Sequence, residues 1–381
     1  MTQLSEAQRT VVTDDAASQQ LVRIWQNLFG LESVGVNDDF FDLGGESSLA
    51  VQMFAQIERT LKIKLPLATI YEAPTIQELA RIVGGEVETQ GWSPLVPIQT
   101  SGSRPPLFCF HGAGGNVLNY QKLSQHLGDD QPFYGLQSQG LDATSSPLTT
   151  IEEMAALYVK HIRRVQASGP YFLGGYCMGG TVAYEVAQQL HASGETVALL
   201  ALLDTMNWHK VPLTLWSKSS YRTQQVLFHA ISLINLNARD KVKFFREKFT
   251  VLQNRIPVWR GMLQAAFGRG KTSVSKSNSM LLGQIWQTND RAGWNYIPKP
   301  YLGEVLDFRP AKQYRVFRKP DLKWEQLAQG GQRVFVLPVY PAGMLVEPFV
   351  KHLAGALKAS MDDAIARYAS RQTEESLTQC W

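Results

Sequence analysis

A glycine-rich turn in the middle of the chain carries the residue best suited to covalent chemistry. Cys177 lies within the run 175–180, Gly-Tyr-Cys-Met-Gly-Gly. The apolar segment 171–174 before it predicts a strand, and the segment 178–192 after it predicts a helix. A tight turn between a strand and a helix lifts its central side chain above the sheet, at a helix N-terminus. The pattern therefore predicts that the Cys177 thiol is a nucleophile.

Two further segments could complete a site around this thiol. A short apolar segment leads into the loop 111–115, His-Gly-Ala-Gly-Gly. We expect the backbone amides of Ala113 and Met178 to form an oxyanion hole. Asp204 directly follows the apolar segment 197–203, which predicts a strand. An acid at the C-terminal end of a strand can orient a catalytic base, although many such aspartates only cap a helix.

A second run with chemical potential lies near the N-terminus. Residues 39–49 are Asp-Phe-Phe-Asp-Leu-Gly-Gly-Glu-Ser-Ser-Leu. The two glycines permit a sharp turn, so that Ser47 would begin a helix ending near Leu61. A phosphate attached to Ser47 would be stabilised there, because a helix N-terminus favours negative charge. Ser47 could instead be only a helix cap, and Ser48 is the rival acceptor.

The elements that must position these residues fall into two domains. Helical periodicity in residues 17–29, 47–61 and 75–83 predicts three helices of a small all-α domain over residues 1–84. Residues 85–105 are rich in glycine, serine and proline. This composition predicts a linker.

The second domain is predicted to span residues 106–370. Short apolar segments alternate there with helical ones, which indicates a mostly parallel sheet covered by helices. A basic stretch with many aromatic residues, about 205–300, interrupts this alternation and predicts a helical lid. A final helix is expected over 345–367, and residues 371–381 are expected to be a loose tail.

The run 39–49 resembles the carrier (thiolation) domains of nonribosomal peptide and polyketide synthases. Residues 106–367 resemble the α/β-hydrolase thioesterase domains that end such assembly lines. The resemblance implies a small all-α carrier domain, built as a four-helix bundle, followed by an α/β-hydrolase domain with a helical lid. It implies that Ser47 carries 4′-phosphopantetheine, attached by a phosphopantetheinyl transferase, and that Cys177 and Asp204 are catalytic. The implied partners are upstream synthase modules and a carrier-bound acyl or peptidyl substrate.

The resemblance breaks at the catalytic base. The family pattern after the last strand is Val-Pro-Gly-x-His-x-x-Met-Leu, whereas residues 337–345 are Leu-Pro-Val-Tyr-Pro-Ala-Gly-Met-Leu. Pro341 therefore occupies the histidine position, and Cys177 replaces the family's usual serine. His209 and His111 are the candidate substitutes for the base. For any single histidine, however, a structural role is more common.

Thiol chemistry remains possible without a base. A free thiol yields some thiolate at neutral pH, and a helix N-terminus is expected to lower its pKa further. Water needs proton removal in the transition state, whereas a neutral amine attacks a thioester directly. We therefore expect the chain on Ser47 to pass to Cys177 and then to an acceptor other than water, by cyclisation, amide formation or thiol transfer. Two alternatives stay open: hydrolysis through a relocated histidine, and a catalytically silent carrier-binding domain.

Composition argues against several other classes. No run of eighteen apolar residues predicts a membrane span. No recognised nucleic-acid motif accompanies the basic stretch, and the three cysteines have no companions that would predict a metal site. The start of the chain does not resemble a signal segment, so a cytoplasmic location is expected. The acidic N-terminal domain is expected to dock on the basic lid side of the second domain.

Overall fold

The computed structural model describes seven ranges of the chain: 14–45, 47–87, 92–142, 144–206, 273–311, 324–339 and 343–378. The described residues form two compact units, with the main division between Ser93 and Pro94. Three predicted features lie outside the described residues, namely His209, Pro341 and the part of the lid between 207 and 272.

The first unit contains the three helices that periodicity predicts and one short helix, α3, that it does not. They are α1 (Asp14–Phe29), α2 (Ser47–Leu61), α3 (Thr69–Glu72) and α4 (Ile76–Val83). Thr75 caps α4 with a reciprocal pair of hydrogen bonds. The Glu78 N–H donates to the Thr75 hydroxyl at 3.2 Å, and the Thr75 N–H donates to the Glu78 carboxylate at 3.2 Å. This capping box explains why α4 starts where it does.

Aromatic packing sets the loop that precedes α2. Trp25 and Phe40 are fully buried and meet edge to face, with ring centroids 5.6 Å apart. The Phe40 carbonyl accepts a hydrogen bond from the Gly45 N–H at 2.8 Å. A side chain at Gly45 would overlap the Phe40 ring. The aromatic residue and the glycine therefore fix the turn together, and α2 begins two residues later.

The second unit is built on a seven-stranded sheet. Its strands are β1 (Leu95–Gln99), β2 (Leu107–Phe110), β3 (Phe133–Leu136), β4 (Tyr171–Tyr176), β5 (Val197–Leu203), β6 (Val305–Pro310) and β7 (Gln332–Leu337). The strand order is β1-β3-β2-β4-β5-β6-β7. The β1–β3 pair is antiparallel, and the other described pairs are parallel. The prediction of a mostly parallel sheet is confirmed.

Helices cover this sheet. They are α5 (Gln121–Leu127), α6 (Ile151–Val165), α7 (Met178–Ala192), α8 (Ser273–Asn295), α9 (Trp324–Leu327) and α10 (Val350–Thr378). α6 packs on α7, and α5 packs on α10. None of the helices in the described ranges is long and apolar enough to cross a bilayer.

Two predicted irregular segments are in fact regular. The predicted linker 85–105 contains β1, which hydrogen-bonds to β3 at the edge of the sheet. Pro97 concealed this strand in the sequence, but an edge strand tolerates a residue without an N–H. The prediction of a loose tail from residue 371 is wrong as well, because α10 continues to Thr378. Residues 368–378 include no glycine or proline to end that helix.

Candidate active site

Cys177 occupies the turn between β4 and α7. Its φ of 56° and ψ of −122° are rare for a residue with a side chain. Two hydrogen bonds hold the turn: the Cys177 N–H donates to the Leu203 carbonyl at 2.9 Å, and its own carbonyl accepts from the Gly180 N–H at 3.1 Å. A strained conformation persists only where its surroundings enforce it, and such strain is concentrated at functional sites.

The glycines on either side of Cys177 allow the strands and the helix to approach closely. A side chain at Gly175 would overlap the backbone of Gly179. A side chain at Gly179 would overlap the carbonyl oxygen of Phe110, at the end of β2. α7 therefore begins directly against the ends of two strands, and only glycine fits at these two positions.

The loop after β2 is held from two sides. The Tyr120 hydroxyl donates to the Phe110 carbonyl at 2.6 Å and accepts from the Tyr176 N–H at 2.9 Å. One phenol thus joins the ends of β2 and β4. From α8, the buried Asn289 donates its amide to the Ala113 carbonyl at 3.1 Å. These bonds hold the loop on both sides of Ala113, whose N–H we expect to be one oxyanion donor.

His111 belongs to the same loop and is fully buried. Its Nδ1 lies 2.7 Å from the Gly112 carbonyl oxygen, and its Nε2 lies 2.7 Å from the Tyr158 hydroxyl. Burial lowers the pKa of His111 to about 4. Both ring nitrogens have structural partners, so the geometry favours the structural interpretation of this histidine over a role as base.

Asp204 ends β5 in a left-handed conformation, with a φ of 47°. Its N–H donates to the Phe308 carbonyl in β6 at 2.8 Å. The carbonyl of the next residue, Thr205, accepts from the Trp324 indole at 3.2 Å. These anchors hold a carboxylate beyond the C-terminal end of the strand next to β4. Its charge contributes to the titration of Cys177.

The sequence analysis expected a lowered pKa for the Cys177 thiol, and this expectation is wrong. Burial raises the pKa of Cys177 to about 11, and the carboxylates of Asp204 and Asp290 add to the increase. The backbone N–H of Met178 at the start of α7 acts in the opposite direction but does not outweigh them. Cys177 is partly accessible, yet at neutral pH it is a thiol and not a thiolate.

A pH profile of thiol alkylation checks this assignment. With a pKa of about 11, the rate of Cys177 with iodoacetamide should rise about tenfold per pH unit between roughly pH 7 and pH 10, because only the thiolate reacts. The rate is measured by intact mass in a Cys380→Ser background, where the buried Cys109 serves as an unreactive reference. A plateau already reached near pH 8 would show an activated thiolate and contradict the assignment.

Helix α8 supplies side chains above the turn that the sequence patterns did not reveal. A side chain at Gly114 would meet the Trp286 ring at 3.4 Å, and one at Gly293 would meet Met178 Cγ at 3.4 Å. Asp290 lies between these two points and accepts a hydrogen bond from the Trp286 indole at 3.1 Å. The spacing of these residues places them on one face of a helix, but nothing in the sequence indicated that this face packs near the distant turn at Cys177.

In the first unit, Ser47 is the first residue of α2. The chain reaches it through Gly44, whose φ of 91° only glycine adopts readily. The first turn of α2 contains no acidic residue, and the N–H groups of a helix's first turn favour an attached phosphate. The backbone at this position fits an attached phosphate.

Two family models match the chain. The phosphopantetheine attachment site matches residues 19–83, and the thioesterase domain matches residues 105–267. The chain is a carrier domain followed by a thioesterase domain. The match confirms phosphopantetheine as the cofactor of the carrier domain. That Ser47 is its attachment point remains a prediction.

The chain is similar to parts of large synthetases. Malpinin synthetase of Mortierella alpina is 46% identical over 187 residues, which cover 49% of this chain and 2% of that protein. A dimodular nonribosomal peptide synthase of Bacillus subtilis is 35% identical over 289 residues, covering 76% of this chain and 12% of that protein. The chain thus spans a small fraction of the length of these relatives.

One solved structure resembles the chain over nearly its full length. It is holo-AB3403, a four-domain nonribosomal peptide synthetase bound to AMP and glycine. The match has a TM-score of 0.57 and 24% identity and covers 94% of this chain and 27% of that one. It supports the predicted fold, an all-α carrier bundle followed by an α/β-hydrolase thioesterase domain.

No metal centre is evident at the site. Among the described side chains, no group of three or more histidine, cysteine, aspartate or glutamate residues could hold a metal ion. When attached, phosphopantetheine supplies a flexible thiol that carries the acyl chain as a thioester. The residues of the thioesterase domain must then receive this chain.

Proposed function

We propose that this carrier–thioesterase pair is the release unit of a nonribosomal peptide or polyketide synthase. Upstream modules deliver an acyl or peptidyl chain to the arm on Ser47, and Cys177 takes the chain as a second thioester. The similarity to nonribosomal peptide synthetases supports the setting. The acidic carrier domain approaches the thioesterase domain on its basic lid side, where charge complementarity assists the encounter.

The strained backbone of Cys177 is the observation that carries the catalytic part of this proposal. A positive φ at a residue with a side chain, enforced by close-packed glycines, has no structural benefit of its own. It lifts the thiol to the helix N-terminus, where the amides of Met178 and Ala113 can stabilise an oxyanion. Asp204 and these two amides complete the proposed machinery.

The acceptor in this proposal is a nucleophile other than water. Hydrolysis needs a base, and the described histidines nearest to that role are engaged elsewhere. His111 contacts Tyr158, and His126 pairs with Glu347 at 2.7 Å. Hydrolysis through His209 stays an alternative, and this residue lies outside the described part of the chain. An amine needs less help than water to attack a thioester.

The test is a partition experiment on the pantetheinylated protein. Acyl-loaded carrier is incubated with and without an amine, and mass spectrometry follows acyl groups on Cys177 and in solution. We expect acyl-Cys177 to persist without the amine and to yield amide when the amine is added. Free acid formed at the same rate in both samples, with no acyl-Cys177, would contradict the proposal.

Carrier loading supplies the control for that experiment. Ser47→Ala should abolish attachment of phosphopantetheine by a transferase and coenzyme A, because the accepting hydroxyl is gone. Ser48→Ala should retain it. Intact mass measures both. Attachment that is lost in Ser48→Ala and retained in Ser47→Ala would place the attachment site at Ser48.

A second function, a catalytically silent carrier-binding domain, is favoured by one observation. The raised pKa of Cys177 leaves little thiolate at neutral pH. A silent domain would bind the loaded carrier without acquiring its acyl group. The partition experiment separates the two functions, because only the transferase forms acyl-Cys177.

A further inference from the structure

Helix α8 places one carboxylate above the nucleophile. Along α8, Trp286 faces Gly114 of the oxyanion loop, and Gly293 faces Met178 beside the nucleophile. Asp290 is one helical turn after the first contact and three residues before the second, so it projects from the same face. The two contacts bracket Asp290 over the space between the oxyanion loop and Cys177.

The carboxylate of Asp290 is not neutralised by a neighbouring cation in the described structure. Its hydrogen-bond partner there is the Trp286 indole, at 3.1 Å. No described lysine, arginine or histidine lies within ion-pair distance of it, and the side chain is exposed. Its charge acts on Cys177 in the same direction as that of Asp204. Among the described residues, Asp204 and Asp290 therefore both place negative charge near the thiol.

We propose that Asp290 is a catalytic residue that binds the acceptor amine and accepts its proton during acyl transfer from Cys177. This inference rests on the proposed function and narrows it, because it selects amines among the possible acceptors. An ammonium group is attracted to the carboxylate and loses one proton to solvent water, and the neutral amine then attacks from that position while Asp290 is still ionised. A hydroxyl acceptor gains much less from this arrangement.

The proton balance of the step is complete. The amine nitrogen attacks the carbonyl carbon of acyl-Cys177, and the oxyanion forms opposite the amides of Ala113 and Met178. The bound nitrogen is then positively charged and strongly acidic, so a carboxylate is a sufficient base. As the carbon–sulfur bond breaks, Asp290 passes this proton to the leaving thiolate. The products are an amide and the Cys177 thiol.

Regeneration of the thiol fits its titration. A sulfur with a pKa of about 11 readily takes the proton from a carboxylic acid. Burial and the two carboxylates, which raise the pKa of Cys177 in the free protein, thus favour its return to the neutral thiol after transfer. A water molecule attacking the same thioester gives no comparably acidic intermediate before its proton is removed.

Asp290→Asn tests the proposal, because it removes the charge and keeps the shape. Asp129→Asn is the matched control: residue 129 precedes β3, at the opposite end of the parallel strands from Cys177. Three rates are measured on each pantetheinylated protein: acylation of Cys177, discharge of acyl-Cys177 by an amine such as propylamine, and alkylation of free Cys177 by iodoacetamide at pH 7.5.

We expect opposite changes in two of these rates. Discharge by the amine should fall by roughly 10²-fold or more in Asp290→Asn, as is common for the loss of a proton acceptor. Alkylation should rise by about threefold or more, because removing a like charge lowers the pKa of the thiol. A variant that was merely damaged would not react faster with iodoacetamide. Asp129→Asn should match the parent in all three rates.

Two outcomes would overturn the proposal in distinguishable ways. If parent and Asp290→Asn discharge acyl-Cys177 to the amine equally fast, Asp290 has no catalytic role, while the proposed function stands. If the parent forms no acyl-Cys177, the proposed function is wrong, and this inference is then wrong as well.

Discussion

Cys177→Ser is expected to slow formation of the acyl-enzyme by about 10²–10⁴-fold, because a hydroxyl needs a general base and such a base usually contributes a factor of this size. Cys177→Ala is expected to abolish formation of the acyl-enzyme. A serine hydroxyl must lose its proton as it attacks, and the resemblance of residues 337–345 predicts Pro341 at the position of the family's histidine. A thiol can attack through its small thiolate fraction. Transfer of an acyl group from the loaded carrier, followed by intact mass, measures each variant.

Cys380→Ser is the control for these substitutions and should acylate like the parent. A serine variant at 177 that acylates as fast as the cysteine enzyme would reveal a working base. It would thereby revive hydrolysis through a relocated histidine. His209→Ala in the serine background would then show whether that residue supplies the base.

Gly179→Ala is expected to lower the free energy of unfolding of the thioesterase domain by roughly 2–4 kcal/mol, since a methyl group is forced into a filled space. The added Cβ would overlap the Phe110 carbonyl oxygen and lie 2.9 Å from that of His111. Backbone oxygens at the end of β2 cannot move aside as a flexible side chain can. Urea unfolding followed by near-UV circular dichroism measures the change.

Gly355→Ala is the matched control, because it makes the same chemical change within another helix, α10. No described atom lies within 4 Å of its added Cβ. Alanine in a helix loses less backbone freedom on folding than glycine, so stability should rise by about 0.5–1 kcal/mol. Similar losses in both variants would contradict the steric explanation.

The sequence predicted the elements at the nucleophile because each is determined locally. The small residues on either side of Cys177 select the strained turn, and the apolar segment before Asp204 forms β5 as predicted. The capping box at Thr75 set the start of α4 in the same way. In each case residues close in the chain supply the pattern, although the turn at Cys177 is also held by the carbonyl of the distant Leu203.

The electrostatics of the site could not be predicted from the sequence in the same way. The shift of the Cys177 pKa depends on burial and on Asp290, which is brought near by a helix far along the chain. Asn289 reaches the Ala113 carbonyl by the same route. Periodicity can show that α8 has two faces, but it cannot show which other element one of those faces will cover. Long-range packing decides both the shift of the Cys177 pKa and the contact between Asn289 and Ala113.

The edge strand β1 shortens the tether between the two domains. α4 ends at Val83 and β1 begins at Leu95, so only eleven residues connect them. Whatever its conformation, such a segment reaches at most about 40 Å. Short tethers of this kind hold a partner at millimolar effective concentration. A foreign carrier would therefore compete poorly for Cys177, and fidelity to the chain's own cargo would follow from the register of one strand.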